Sequence, residues 1–379
     1  MANPLVEIRR FGQSVWYDNI QRGFITSGDF QKMVAEDGVA GVTSNPTIFE
    51  KAIDNSTDYD DDIRKLAARG KDVKDAYEAL VVKDVQLAAD ILRPIYEQTG
   101  GADGFTCLEV APDLAYDTEA SIEAAHRLWA LLDRPNVMVK IPGTDKGLPA
   151  IEQCLSKGIN INITLLFGVE NYEQVAWAYI KALENRLELG LPIDRIASVA
   201  SFFVSRIDTL VDRLLEENLR SAASAAERKR PQALRGRAGI ANAKIAYEMF
   251  REIFGGKRFQ ALAAKGARVQ RCLWASTGTK NPDYRDVMYV EDLIGPDTVN
   301  TMPQATLDAF RDHGEVTHSL DKGLDEAHSV MRNLGDVGID YKSVSAQLQA
   351  EGVQLFTDSY RKLLHSLAAK REAFMGSGP

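Results

Sequence analysis

Short apolar segments alternate along the chain with longer segments whose apolar residues recur at helical spacing. Eight of the short segments are rich in Val and Ile, and several are apolar on both alternating faces, which is typical of buried parallel strands. We therefore predict strands at residues 14–18, 38–43, 105–110, 137–141, 159–165, 197–201, 272–276 and 298–302.

The segments between these strands carry apolar residues near the period of an amphipathic helix. In the last of them, Val353, Phe356, Tyr360 and Leu363 fall on one stripe. We predict helices at residues 147–157, 208–220, 240–254, 307–313 and about 343–370.

Strands that alternate with helices predict a parallel sheet with crossover helices, and eight strands match a closed (β/α)8 TIM barrel of the α/β class. About 70 residues separate the sixth and seventh strands. We interpret this excess as helices inserted into one barrel, so that residues 1–379 form a single domain with additional inserted and C-terminal helices. An open doubly wound sheet is the alternative, but no G-x-G-x-x-G motif follows the first strand.

Composition narrows the class of protein. The chain has 45 Lys and Arg residues against 54 Asp and Glu residues, and its net charge of -9 argues against non-specific binding to nucleic acid or an anionic membrane. Three cysteines without a C-x-x-C pair exclude a disulfide framework and a cysteine-rich zinc site. No apolar run is long enough for a signal peptide or a membrane span. We expect a cytoplasmic protein with no membrane partner.

Two further features point to no site. The basic segment 227–237 has no interleaved aromatic residues, so we interpret it as the exposed end of a helix rather than a nucleic-acid patch. The five histidines form no H-E-x-x-H motif, and metal catalysis therefore has no support from the sequence.

Polar residues interrupt the predicted strands near their carboxyl ends. In a barrel these ends meet at one mouth, where active sites are built from several strands. The polar residues in question are Asp18, Thr43, Ser44, Asn45, Glu109, Lys140, Asn162, Thr164 and Ser201.

Lys140 stands out because its strand is otherwise apolar on both faces. One interpretation is a lysine that extends along the surface to reach solvent. The other is a desolvated amine that attacks a carbonyl and forms a Schiff base. Such an amine needs proton-transfer partners, for which Glu109 and Asp18 are the local candidates. Asp18 could instead cap the following helix.

Other polar residues suit a phosphorylated, hydroxylated ligand. The amides of Asn45 and Asn162 can hold hydroxyl groups, although Asn45 before Pro46 is also a common helix-start signal. Arg206 and the Ser/Thr/Gly-rich segment 276–280 follow late strands and suit a phosphate group.

Five segments together resemble the transaldolase family in its longer bacterial form. They read GVTSNPTIF (41–49), EVAPDLAYD (109–117), VMVKIPGTDKGL (137–148), GININITLLF (158–167) and SFFVSR (201–206), and they follow the family's order. A weaker likeness continues through 274–280 to 351–353.

The resemblance implies a class I aldol transfer without metal or other cofactor, acting on sugar phosphates in the non-oxidative pentose phosphate pathway. Lys140 would form the Schiff base. Asp18 would take the proton of the C4 hydroxyl, and Glu109, through a water near Thr164, would shuttle protons. Binding would involve Asn45, Thr43, Asn162, Ser201, Arg206, Ser276 and Lys280.

One position departs from the family pattern. An arginine is expected two residues after Ser276, but this chain has Gly278 there and Lys280 two positions later. A lysine binds phosphate as a point charge and not as a two-pronged fork. For the assembly, we expect a monomer or a homodimer.

Three rivals remain at this point. A pure aldolase would release dihydroxyacetone to water, and a pyridoxal phosphate barrel would hold its cofactor on the strand lysine. A non-enzymatic RNA-binding barrel would use the arginines between Arg228 and Arg237, although the net charge opposes it.

Overall fold

The strands of this computed structural model, which describes residues 3–376, close into one parallel barrel in chain order. Each strand pairs with the next, and β8 returns to pair with β1. The strands are β1 (Gln13–Tyr17), β2 (Gly41–Val42), β3 (Phe105–Glu109), β4 (Val137–Pro142), β5 (Ile161–Leu166), β6 (Ser198–Phe203), β7 (Arg271–Ala275) and β8 (Thr298–Met302).

Helices surround the barrel and fill the long connections. Residues 3–376 include two short 3-10 helices, Ile8–Phe11 and Pro112–Leu114. The α-helices are α1 (Pro4–Glu7), α2 (Arg22–Thr26), α3 (Asp29–Glu36), α4 (Pro46–Asp54), α5 (Asp60–Ala68), α6 (Val73–Gln98), α7 (Thr118–Leu132), α8 (Gly147–Ser156), α9 (Val169–Glu188), α10 (Ser205–Ser221), α11 (Ala225–Leu234), α12 (Ala238–Gly255), α13 (Lys257–Ala263), α14 (Met288–Glu291), α15 (Gln304–His313), α16 (Leu324–Asp336) and α17 (Tyr341–Gly376).

The predicted barrel and all eight strands are confirmed, with bounds that shift by a few residues. The second strand is shorter than predicted, and it excludes Gly38, whose left-handed backbone (φ 69°) a strand does not accommodate. The fifth strand begins two residues later than predicted, at Ile161, and the Asn160 side chain just before it binds main-chain groups of Val137 and Ala197. The additional residues between β6 and β7 form helices, as predicted, and these include α11, α12 and α13.

The barrel interior is packed rather than open. Trp16 and Cys107 are fully buried within it. A β-carbon on Gly41 would lie only 2.4 Å from the Trp16 ring, so the glycine makes room for the indole. All three cysteines are buried and free, as the sequence predicted.

The C-terminal helix α17 lies across the carboxyl end of the barrel. Gln349 Nε2 donates to the main-chain oxygen of Gly143 (3.0 Å), directly after β4, and to that of Leu165 (3.2 Å), within β5. Farther along, the Ser359 and Thr47 hydroxyl oxygens lie 2.8 Å apart, which joins α17 to α4. The helix therefore forms part of the mouth. Among residues 3–376, none of the helices is both long and apolar enough to cross a membrane.

Candidate active site

A cavity of about 520 Å³ opens at the carboxyl end of the barrel. Nine of the eleven predicted site residues line it: Asp18, Thr43, Asn45, Lys140, Thr164, Ser201, Arg206, Ser276 and Lys280. The other two contact that set. Glu109 lies beside Lys140, and Asn162 accepts a hydrogen bond from the Ser201 hydroxyl at 2.7 Å. The structure thus brings all eleven residues to one mouth, as the strand-end pattern predicted.

Lys140 is buried in the barrel interior and does not extend along the protein surface to solvent. Its side chain is 6% exposed, between the fully buried Val139 and Ile141. Nζ donates to the main-chain oxygen of Ser44 at 2.7 Å and lies 3.3 Å from Glu109 Oε2. The interpretation of Lys140 as a surface lysine is therefore wrong. A buried amine with one carboxylate beside it, at the wall of a cavity, is suited to react with a ligand.

Glu109 is a buried carboxylate that is incompletely paired. Burial raises the pKa of its carboxyl group, while the positive charge of Lys140 opposes that rise. Among the described residues, neither carboxylate oxygen has a hydrogen-bond partner in good geometry, and the hydroxyl of the fully buried Thr164 also lacks one. Buried polar atoms without partners cost free energy. Three such atoms, two of them on the carboxylate beside Lys140, mark a place where a further polar group belongs.

Asp18 follows β1 directly and points to the same cavity. Its Oδ1 accepts a hydrogen bond from the Thr43 hydroxyl at 2.7 Å, and that hydroxyl lies 2.6 Å from the hydroxyl of Thr301. The surrounding protein raises the pKa of the Asp18 carboxyl by desolvation, against the hydrogen bond from Thr43 and the charge of Lys140. The next helix begins at Arg22 with Gln21 as its N-cap, so the interpretation of Asp18 as a helix cap is wrong.

Asn45 and Asn162 differ in which of their amide groups remain available to contact a ligand. Asn45 Oδ1 accepts the Ile48 N–H at 3.0 Å and caps α4, which confirms the helix-start interpretation. Within residues 3–376 its NH2 group has no hydrogen-bond partner, so that group is available to contact a ligand. Asn162 is fully buried and donates to the Cys107 sulfur at 3.3 Å while accepting from Ser201. Asn162 therefore orients Ser201 at the cavity wall.

Two of the predicted residues that line the cavity, Arg206 and Lys280, are cations. Arg206 lies in the first turn of α10, and its guanidinium stacks 5.3 Å from the Phe203 ring centroid and 5.8 Å from that of Phe356. Among the described residues it forms no ion pair within 4.0 Å. Lys280 is exposed and also lines the cavity. Ser276 has a left-handed backbone (φ 55°), a strained conformation that is typical of functional turns.

The sequence interpretation missed several residues of this site. Thr301 is a polar residue near the carboxyl end of β8 and lines the cavity, so the same strand-end rule could have identified it. Ser44 was noticed as polar, but nothing in the pattern indicated that its main-chain oxygen binds Lys140. Leu355 and Phe356 of α17 also line the cavity, and no local signal connects them to strands more than 50 residues earlier.

The basic segment lies away from the cavity. Arg228, Lys229 and Arg230 are exposed in the middle of α11 rather than at its end. Neighbouring acids balance several of these charges: Arg230 pairs with Asp336, Arg235 with Glu216 and Arg237 with Glu326. The segment is therefore a mixed-charge surface rather than a uniform cationic one.

A closed barrel with a buried lysine and two carboxylates at its mouth defines a class of enzyme that works on carbonyl compounds. Comparison with known proteins is more specific. Residues 15–367 match the model of the Transaldolase/Fructose-6-phosphate aldolase family. The chain is 47% identical over 372 residues to a transaldolase of Trichodesmium erythraeum, covering 98% of each chain.

Two further relatives are also named transaldolase. The chain is 47% identical to transaldolase 2 of a Nostoc species over 371 residues, covering 97% of each chain. It is 46% identical to a transaldolase of Thiobacillus denitrificans, over 96% of this chain and 99% of the relative. The chain belongs to the Transaldolase/Fructose-6-phosphate aldolase family.

Proposed function

We propose that the chain acts as a transaldolase, a transferase that moves a dihydroxyacetone unit reversibly between sugar phosphates. The donor is a ketose phosphate, sedoheptulose 7-phosphate or fructose 6-phosphate. The acceptor is an aldose phosphate, glyceraldehyde 3-phosphate or erythrose 4-phosphate. The buried Lys140–Glu109 pair at the wall of a polar cavity carries the proposal, and near-full-length relatives named transaldolase support it.

The first stage joins the sugar to the protein. The neutral Lys140 amine attacks the C2 carbonyl, and its nitrogen loses a proton while the carbonyl oxygen gains one. Loss of that oxygen as water then leaves a protonated imine. Glu109 is the nearest carboxylate to Nζ, and its free oxygens with the Thr164 hydroxyl could hold a water that relays these protons.

The second stage breaks the carbon chain. Asp18 takes the proton of the C4 hydroxyl, the C3–C4 bond breaks, and its electron pair moves into the protonated imine. An aldose phosphate leaves, and a three-carbon enamine stays on Lys140. An acceptor aldehyde then reacts by the reverse steps, and water releases the new ketose phosphate. The raised pKa of Asp18 suits a group that must both accept and return a proton.

Binding divides between the two sides of the cavity. Asn45, Asn162, Thr43 and Ser201 would hold hydroxyl groups near the lysine. Arg206, Ser276 and Lys280 would hold the phosphate, since a guanidinium without an ion-pair partner can form paired bonds to phosphate oxygens. Lys280 would add a point charge in place of the arginine expected at Gly278.

Other properties complete the proposal. The chain would work without a cofactor, in the cytoplasm, with sugar phosphates as partners and without nucleic acid. It would form a monomer or a homodimer built from one domain per chain. The pentose phosphate pathway is the reaction sequence that these substrates indicate.

The decisive test is borohydride trapping with fructose 6-phosphate, followed by peptide mass mapping. We expect a three-carbon adduct on Lys140 that disappears when erythrose 4-phosphate is added before the borohydride. An adduct that the acceptor does not remove would indicate a pure aldolase instead. Absence of any adduct on Lys140 would reject the Schiff-base mechanism.

A further inference from the structure

Ser44 holds the reactive lysine although it does not line the cavity. It is fully buried between the end of β2 at Val42 and the start of α4 at Pro46. Its main-chain oxygen accepts the hydrogen bond from Lys140 Nζ at 2.7 Å. Its hydroxyl donates to the main-chain oxygen of Cys107 in β3, also at 2.7 Å. Ser44 therefore joins the lysine to a neighbouring strand through its own backbone.

The arrangement around Nζ limits where the amine can react. A neutral amine has two N–H bonds and one lone pair in a tetrahedral arrangement. Ser44 O, at 2.7 Å, accepts one of those N–H bonds, and Glu109 Oε2, at 3.3 Å and not in good hydrogen-bond geometry here, is the nearest carboxylate oxygen for the other. When both are used, the lone pair takes a remaining direction. Because Lys140 also forms part of the cavity wall, the lone pair is available to a ligand there.

The Ser44 hydroxyl is what fixes the first of these acceptors. The segment between β2 and α4 is not part of a strand. The Thr43 N–H donates to Tyr17 O at 2.9 Å, and this bond holds the segment to β1. The hydroxyl of Ser44 holds the β3 side. Without it, the peptide that carries the Ser44 oxygen could rotate, and the amine would lose its better acceptor.

We propose that Ser44 is a positioning residue, whose hydroxyl holds its own carbonyl in place so that the Lys140 lone pair faces the substrate carbonyl. This inference rests on the proposed Schiff-base function. It assigns Ser44 to imine formation alone, because no Ser44 atom contacts Asp18 or the predicted phosphate-binding residues among the hydrogen bonds of residues 3–376. The cleavage step should not depend on it.

The experiment isolates imine formation in an Asp18→Asn background, where the six-carbon imine should accumulate before cleavage. Protein is mixed with fructose 6-phosphate, quenched with borohydride at increasing times, and analysed by intact mass. We expect Ser44→Ala to slow adduct formation at saturating sugar about 10- to 100-fold, since a misplaced reacting group costs a factor of this order. The half-saturating sugar concentration should hardly change.

Two variants serve as controls. Ser44→Thr keeps the hydroxyl and should restore most of the rate. Ser198→Ala removes a comparable buried hydroxyl, which lies near the other end of the barrel, donates to Ile161 O at 2.8 Å and also accepts from Gln270 Nε2 at 2.9 Å. Ser198→Ala should lower the urea midpoint comparably while leaving the adduct rate unchanged.

The outcomes separate this inference from the proposed function. An Asp18→Asn protein that forms no adduct on Lys140 with Ser44 intact would reject the Schiff-base mechanism itself. If that protein forms the adduct and Ser44→Ala does so equally fast, Ser44 does not position the lysine. Equal slowing by Ser44→Ala and Ser198→Ala would also overturn the inference, because it would indicate general loosening.

Discussion

The two ends of the barrel each hold an ion pair, but the pairs differ in how completely their polar atoms are hydrogen-bonded. At the amino end, Asp103 and Arg271 lie 3.5 Å apart, Asp103 accepts the Trp16 indole N–H at 2.8 Å, and Arg271 donates to the Ser14 hydroxyl at 2.9 Å. At the carboxyl end, Lys140 and Glu109 lie 3.3 Å apart, and the Glu109 oxygens have no well-formed hydrogen bond among the described residues.

This difference separates a structural pair from a reactive one. A polar network whose members are all paired stabilises a fold and has nothing left to offer a ligand. A buried carboxylate with free oxygens is costly to keep, and such costs are typical of sites that act on something else. Changes at the amino end should therefore affect stability alone, and changes at the carboxyl end should affect turnover first.

Replacement of the lysine gives the largest expected effect. Lys140→Met should abolish turnover and borohydride adduct formation, because it removes the buried amine that forms the imine. The protein should stay folded, since the raised pKa of Glu109 lets it become neutral once its partner is lost. Enzyme assay and circular dichroism check both parts. Lys244→Met is a control that removes a half-buried lysine outside the cavity, and it should retain activity. Loss of activity in Lys244→Met would mean that the effect of Lys140→Met is not specific to the lysine at the barrel mouth.

Asp18→Asn should come next in size. Removing a proton-transfer group typically costs about 10²- to 10⁴-fold in kcat, but the lysine can still form an imine. We expect slow turnover together with a six-carbon adduct on Lys140 after borohydride treatment. Peptide mass mapping decides the result, and finding only a three-carbon adduct would argue that Asp18 is not the cleavage base.

Asp103→Ala tests the other end of the barrel. It leaves the Trp16 N–H and the Arg271 guanidinium without their carboxylate, and it should lower the free energy of unfolding by about 3 kcal/mol. The kcat/KM value of the folded protein should stay near that of the parent. Urea denaturation and a steady-state assay measure the two quantities, and a large loss of kcat/KM with normal stability would reverse the assignment of the two ends.

The smallest expected effect is a shift in pH dependence. Asp18 and Glu109 must be ionised to accept protons, and burial raises the pKa of both, so activity should fall as the pH drops through values above the usual carboxyl range near 4. Thr43→Val removes a hydrogen bond that favours the Asp18 carboxylate. The acidic limb of kcat/KM should then move upward by about one unit.

A matched control for this shift is Ser201→Ala, which removes a cavity hydroxyl that binds Asn162 rather than Asp18. Its pH profile should keep the parent's acidic limb, whatever its effect on rate. Equal movement of the limb in both variants would mean that Thr43 does not set the pKa of Asp18.

Much of the fold and of the site could be predicted from the sequence because the barrel imposes a rule. Each strand is short, apolar and followed by helix, and its polar residue falls at the carboxyl end. That rule found Asp18, Glu109 and Lys140 without knowledge of any contact. The same rule also applies to Thr301, although Thr301 was not among the predicted site residues.

The remaining features depend on contacts that no local pattern encodes. The oxygen that binds Lys140 belongs to the backbone of Ser44, and every residue has such an oxygen. The left-handed conformations of Leu165 and Ser276 occur at residues that do not favour them, so the surrounding structure imposes them. The position of α17 depends on its long-range bonds to Gly143 and Leu165.

The path of α17 also bears on how the protein becomes active during synthesis. The last barrel strand ends at Met302, whereas the cavity wall at Leu355 and Phe356 belongs to a helix that starts at Tyr341. A ribosome therefore produces every strand of the barrel before it produces this wall, and chains fold from their amino end as they emerge. A nascent chain can close its barrel while its mouth is still open, and it gains its complete site only after α17 has been synthesised.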